Sequence, residues 1–205
     1  MDILSILFGG NTVEKRRSTG QYRAVDLALF ALMLLIFESI IIAASVRWFP
    51  GQPWTVSLVP AIVAVVMVRW GPWAAVHAVL GGAVVCAQSG AAPSMYAVYC
   101  VGNLFPLLLL LFPGFSRWRK EQGVFAGSGG AMGYGIAVLL LTQAGRAVMT
   151  MIFGASPVLA LGCFTTEAVT DLFTLVILWI ARRLDGLLED QEHYLRRIQE
   201  EERLP

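Results

Sequence analysis

In the stretch GCFTTEAVTDLFTLV, residues 162–176, Glu167 and Asp171 stand four positions apart inside a run that otherwise resembles hydrocarbon. Helical spacing sets Cys163, Thr166, Glu167, Thr170, Asp171 and Thr174 on one polar stripe and leaves Leu172, Val176 and Trp179 on the opposite face. With a rise of ~1.5 Å per residue from an outer start near Leu159, Glu167 lies about 12 Å deep and Asp171 about 18 Å deep. Neither carboxylate reaches an interface from there. A charge left in lipid costs several kcal/mol, so intramembrane acids mark functional sites by default, and this stripe must face protein or water.

Polar groups at matching depth occur on other spans. Glu38 falls in the outer half of the first, Tyr96, Tyr99, Cys100 and Asn103 share a face of the fourth, and Gln143, Arg146 and Thr150 line the outer end of the fifth. Pro106 frees the carbonyl of Gly102 beside Asn103, which offers an acceptor or a kink at the same level. The connection RWFPGQPW adds Trp48, Phe49 and Trp54 on a proline-stiffened loop suited to an aromatic lid. Two readings stay open. Arg146 either pairs with Glu167 or Glu38 to lock helices together, or it joins a binding cavity. Three acids against one arginine leave a surplus of carboxylates, which suits a ligand rich in N–H donors or carrying an amine. The expected binding residues are therefore Glu38, Trp48, Trp54, Tyr96, Tyr99, Asn103, Gln143, Arg146, Glu167 and Asp171. In the same scheme the Trp48 to Trp54 loop closes over a flat solute and Tyr96 or Tyr99 stacks on it.

Catalysis is not expected. The chain has no H-E-x-x-H, no G-x-S-x-G and no phosphate-binding G-x-x-x-x-G-K-[ST], and its two histidines are His77, in an apolar stretch, and His193, in the tail. Cys86, Cys100 and Cys163 all lie in apolar runs, where they read as small buried residues, so no metal, cofactor or disulfide framework is implied.

The elements that carry these groups follow from composition. Of 205 residues, 57% are hydrophobic and 14% charged, far too apolar for a soluble domain of this length. The expected fold is an all-α integral membrane protein with six transmembrane helices, at residues 24–46, 54–68, 73–86, 92–112, 131–152 and 159–180. The second and third are short and separated by RWGPW, where Gly71 and Pro72 force a turn and Arg69, Trp70 and Trp73 suit a headgroup interface. Residues 1–23 and 181–205 flank the helical domain. Thirteen of the 15 Lys and Arg residues fall on the side of the termini, against Arg47 and Arg146 on the other, so the positive-inside rule places both termini in the cytoplasm. The start, MDILSILFGG, lacks a secretory pattern and reads as a surface-lying segment. The tail continues the last span as an extended charged helix, either solvated or docking a partner. A net charge of +1 implies no nucleic acid.

Small residues mark close helix contacts: Ala24, Ala28 and Ala31 at the start of the first span, Ala78 and Gly82 in the third, and GSGGAMGYG at the start of the fifth. The chain length, the six spans with cytoplasmic ends, the early alanine ridge, the short second and third helices and the polar outer halves of the last three resemble an energy-coupling factor (ECF) transporter S-component. That resemblance covers almost the whole chain and rests on architecture more than on motif. It implies a bacterial-type plasma membrane location. It also implies that Ala24, Ala28 and Ala31 contact a transmembrane coupling subunit, that two separate ATPase subunits supply the energy, and that the outer site captures a vitamin or similar small micronutrient. A toppling of the whole subunit to release its cargo is implied as well. The alternative is a membrane scaffold or signalling anchor without a small-molecule substrate, in which the tail is the working part.

Overall fold

The computed structural model describes residues 18–52, 54, 56–120, 128–184 and 186–201; the N-terminal surface-lying segment expected from MDILSILFGG lies outside them. Among the described residues the chain is all-helical. The helices are α1 (Thr19–Trp48), α2 (Val59–Trp70), α3 (Ala74–Ser89), α4 (Pro93–Gly102), α5 (Pro113–Lys120), α6 (Ser128–Ile152), α7 (Pro157–Thr166), α8 (Ala168–Ala181) and α9 (Gln191–Glu201), with 3-10 turns at Gly71–Trp73 and Phe105–Leu111. Among the described residues four helical stretches are long and apolar enough to cross a membrane, or five when the bent pair α7 and α8 counts as one.

Local chemistry explains the starts and stops. Ser18 caps α1 in a reciprocal box with Gln21, and Ser156 accepts from Leu159 N–H at the head of α7. Prolines occupy the first turn of α2, α4 and α7, where a missing N–H costs nothing. The regular helix of α4 ends at Gly102, just before Pro106, and the chain continues in 3-10 form.

Helix α2 is the axis of the bundle. Its sequence, VPAIVAVVMVRW, is apolar on every side, and every residue from Val59 to Val68 is buried, as expected of a helix surrounded by others. It turns back on α3 at Gly71, whose φ of +60° favours glycine, so that Gly81 of α3 lies against Val59. A Cβ on Gly81 would come within 2.6 Å of the Val59 methyls, which makes the 59–89 run a hairpin. By contrast, α1 is apolar around its circumference yet buries only Leu34 and Glu38, leaving Leu29, Leu32, Ile36, Phe37 and Ile40 exposed as a lipid-compatible surface.

One end of the bundle is tied by charge. Arg69 at the end of α2 holds both Asp26 oxygens, at 2.8 and 2.9 Å, and donates to the carbonyls of Gly186 and Leu187 at 2.7 and 3.3 Å; the Trp70 indole N–H also donates to Asp26. The two residues that the sequence suited to a headgroup interface thus have protein partners at this end of the bundle. Trp70 is buried, and Arg69 spends its fork on protein acceptors because three chain segments converge there.

The tail also departs from expectation. It does not extend the last span as a continuous helix. The chain turns after Ala181, with Gly186 at φ +70°, and Leu188 enters the core. Asp190 pairs with Arg119 at 2.8 Å and accepts the Glu192 and His193 N–H groups to start α9. Folding back buries Leu188 and gives Arg69 and Arg119 protein partners that an extended rod would not supply. Arg69→Met is expected to cost about 2–4 kcal/mol by stranding Asp26 and two carbonyls. Faster tryptic cleavage at Arg196 and Arg197 would report the release of α9, and an unchanged cleavage rate would argue against the clamp.

Candidate functional site

At the end of the bundle opposite this clamp, the start of α2, the end of α3 and parts of α1, α4 and α6 meet the junction of α7 and α8. The expected span at 159–180 is broken there: α7 and α8 meet at a 43° bend, with Glu167 at the joint. Thr165 and Thr166 turn their hydroxyls back onto the Gly162 carbonyl, both at 3.0 Å, a bond that competes with the helical ladder. Glu167 itself has φ −98° and ψ 5°, the sparsely populated bridge region. The polar stripe is re-cut by this break. Glu167, Thr170 and Thr174 are buried, Asp171 is half-buried and Thr166 is exposed.

Arg146 organises the site. Its Nη1 lies 2.7 Å from Glu167 Oε1, its Nε donates to Asn103 Oδ1 at 2.9 Å, and its guanidinium sits 4.6 Å from the Tyr99 ring centroid. Asn103 donates in turn to the Ala78 carbonyl at 3.3 Å, so both ends of its amide are used. Close backbone approach makes this possible: a Cβ on Gly102 would come within 2.7 Å of Arg146 Cγ, and one on Gly145 within 2.5 Å of the Gly102 carbonyl oxygen. Helices α4 and α6 thus meet glycine to glycine, directly beside the arginine. Within GSGGAMGYG, Gly129 and Gly133 have open space around them, and Gly135 packs closely against Leu175 and Leu178.

Glu38 reaches the site from α1. One carboxylate oxygen accepts the Leu58 N–H at 2.7 Å and caps the start of α2, where an anion also meets the positive helix end. The other oxygen, Oε1, has no hydrogen-bond partner among the described residues, nor has Glu167 Oε2. Both residues are essentially buried, at 0% and 4% exposure.

Glu38, Tyr99, Arg146 and Glu167 all line a cavity of about 150 Å³, completed by residues such as Val85 of α3 and Ser57. The structure thus gathers four of the ten expected binding residues around one space. Asn103 stands behind Arg146. Gln143 donates to Asp171 at 3.2 Å, a pair set apart from the cavity wall. Trp48 and Tyr96 are exposed, and Trp54 packs on Phe49 at 5.6 Å between ring centroids, so these aromatics do not line the cavity. Sequence reasoning passed over Ser45, Ser57 and Ser89. Ser45 and Ser57 stand between apolar neighbours, and it is the α1–α2 and α3 helix ends that bring the three hydroxyls to one wall.

Elsewhere, His77 is an interior histidine whose Nε2 donates to the Leu27 carbonyl at 3.0 Å and ties α3 to α1. The three cysteines are free. Along α1, Ala24 and Ala28 are exposed and Ala31 is half-buried. No family model, curated protein or solved structure matches the chain.

Proposed function

We propose that the chain is the substrate-binding membrane subunit of an ATP-driven importer of the ECF type, capturing a small micronutrient from outside. The observation that carries the proposal is the cavity in which Glu38, Tyr99, Arg146 and Glu167 converge at the end of the bundle away from the charged clamp. Small-solute sites are concave and largely apolar with a few fixed polar groups, and this wall has that character. In this reading the hairpin of α2 and α3, the α4 segment and the bent α7–α8 pair each count as crossings, making six spans. Both termini then lie in the cytoplasm with Arg23, Arg69, Arg119, Arg182 and Arg183, in accord with the positive-inside rule.

The exposed Ala24 and Ala28, with Ala31 beside them, form the surface on which a coupling subunit would dock, since small side chains let another helix approach closely. The chain binds solute, and the partner module of two ATPases drives its release. Affinity purification of the tagged chain from a mild detergent extract tests this. A membrane coupling subunit and two ATPases are expected to co-purify with the wild type and to be lost with Ala28→Trp, while that variant keeps its unfolding temperature. Recovery of envelope or signalling proteins alone would replace the importer with the scaffold reading.

A further inference from the structure

We infer that the solute taken by this cavity is an organic monocation whose counter-charge is Glu38; the inference rests on the solute-binding reading above. The argument begins with charge. The cavity wall holds one cation, Arg146, and two carboxylates, Glu38 and Glu167. Arg146 pairs with Glu167, Nη1 lying 2.7 Å from Oε1, donates through Nε to Asn103 at 2.9 Å and sets its face on Tyr99, while Nη1 makes no hydrogen bond among the described residues. An anionic solute on Arg146 would add a third negative charge to a wall that already sets two carboxylates against one cation. A neutral solute would require Glu38 to be neutralised by a proton, because an excess buried charge is strongly disfavoured in a low-dielectric site.

Hydrogen bonding points the same way. Two buried acceptors, Glu38 Oε1 and Glu167 Oε2, lack donors among the described residues, against one buried donor, Arg146 Nη1, without an acceptor, and the three residues share one wall. An ammonium or guanidinium group supplies N–H donors for both and removes the surplus negative charge in the same contact. Asp171 adds no cation, being held by Gln143, and Tyr99 is engaged with Arg146. The rest of the wall, including Ile42, Val46, Val56 and Val85, is aliphatic, so the cation is carried on a compact apolar body. Glu38 also caps α2 through Oε2, which makes Glu38→Gln an informative variant. The glutamine carbonyl still accepts the Leu58 N–H, so the helix start survives while the charge is lost.

The test uses the purified full chain in a neutral detergent, with thermal unfolding followed by intrinsic tryptophan fluorescence. The probes are methylammonium, butylammonium and phenethylammonium, each compared with the carboxylate of matching size: acetate, pentanoate and 3-phenylpropionate. At least one ammonium is expected to raise the unfolding temperature saturably while its carboxylate does not. Glu38→Gln should then need a concentration at least about tenfold higher for the same shift, equivalent to about 1.4 kcal/mol. Stabilisation by the carboxylates instead, an ammonium response unchanged in Glu38→Gln, or no response to any ammonium would overturn the inference. If Glu38→Gln fails to fold, the wild-type preference between ammonium and carboxylate decides alone. Co-purification of the ATPases is independent of solute charge, so their retention alongside a failed ammonium response rejects the cation and leaves the importer reading standing.

Discussion

Arg146→Met will destabilise the folded chain by about 3–5 kcal/mol, the cost typical of breaking a buried ion pair from one side. The arginine is 2% exposed and binds Glu167, Asn103 and the Tyr99 face at once. Without it the Glu167 carboxylate remains buried at the α7–α8 joint with no cation, and Asn103 Oδ1 loses its donor. Removing the second charge as well should reverse most of the loss, because an apolar pair of similar volume carries no desolvation penalty. Arg146→Met combined with Glu167→Leu is therefore expected to recover all but about 1–2 kcal/mol, the remainder being the unsatisfied Asn103. A double-mutant cycle by denaturant unfolding in micelles gives the coupling. Equal stability of the single and double variants would show that the pair does not hold the site together. Arg146→Lys should fall between them, since an ammonium has no planar fork to span Asn103 and Glu167 together.

The second large effect is expected at Gly145. A Cβ there would stand 2.5 Å from the Gly102 carbonyl oxygen and 2.5 Å from the Phe105 ring, and neither backbone nor ring at a helix junction can give way cheaply. Gly145→Val should separate α4 from α6 and cost about 3 kcal/mol or more, at the upper end for overpacking. Because Arg146 is the next residue, any solute response should be lost along with stability. Gly133 provides the contrast on the same helix. A Cβ added there would meet nothing within 4 Å, so Gly133→Ala should be neutral or stabilise by up to about 1 kcal/mol through lower chain entropy. Thermal unfolding of the two variants side by side checks both; similar losses would mean that the glycine contact does not control the α4–α6 distance.

Other features divide according to the range of the forces behind them. A chain that is 57% hydrophobic with long apolar runs has to form membrane-compatible helices, because the lipid phase leaves backbone groups no other partners. The cost of buried charge made Glu38, Arg146 and Glu167 stand out, and helical spacing added Tyr99; all four line one cavity. The GPW turn between α2 and α3 was legible because Gly71 and Pro72 act locally.

What periodicity left undetermined were the choices that depend on neighbours from distant parts of the chain. A helix apolar on all sides fits the centre of a bundle as well as its rim, and only packing put α2 inside and α1 outside. The 159–180 run reads as one helix until Thr165 and Thr166 bond back to Gly162 and Glu167 takes the joint facing Arg146. The tail reads as a rod until Arg69 and Arg119 supply partners for Gly186, Leu187 and Asp190. In the aromatic loop Trp48 is exposed and Trp54 packs on Phe49, contacts that the sequence left open. Sequence by itself determined the helical, membrane-compatible class and the charged groups that had to find partners. The tertiary structure alone decided which partners they found, because ion pairs and glycine contacts join helices that are far apart in the chain, a relation that helical period does not encode.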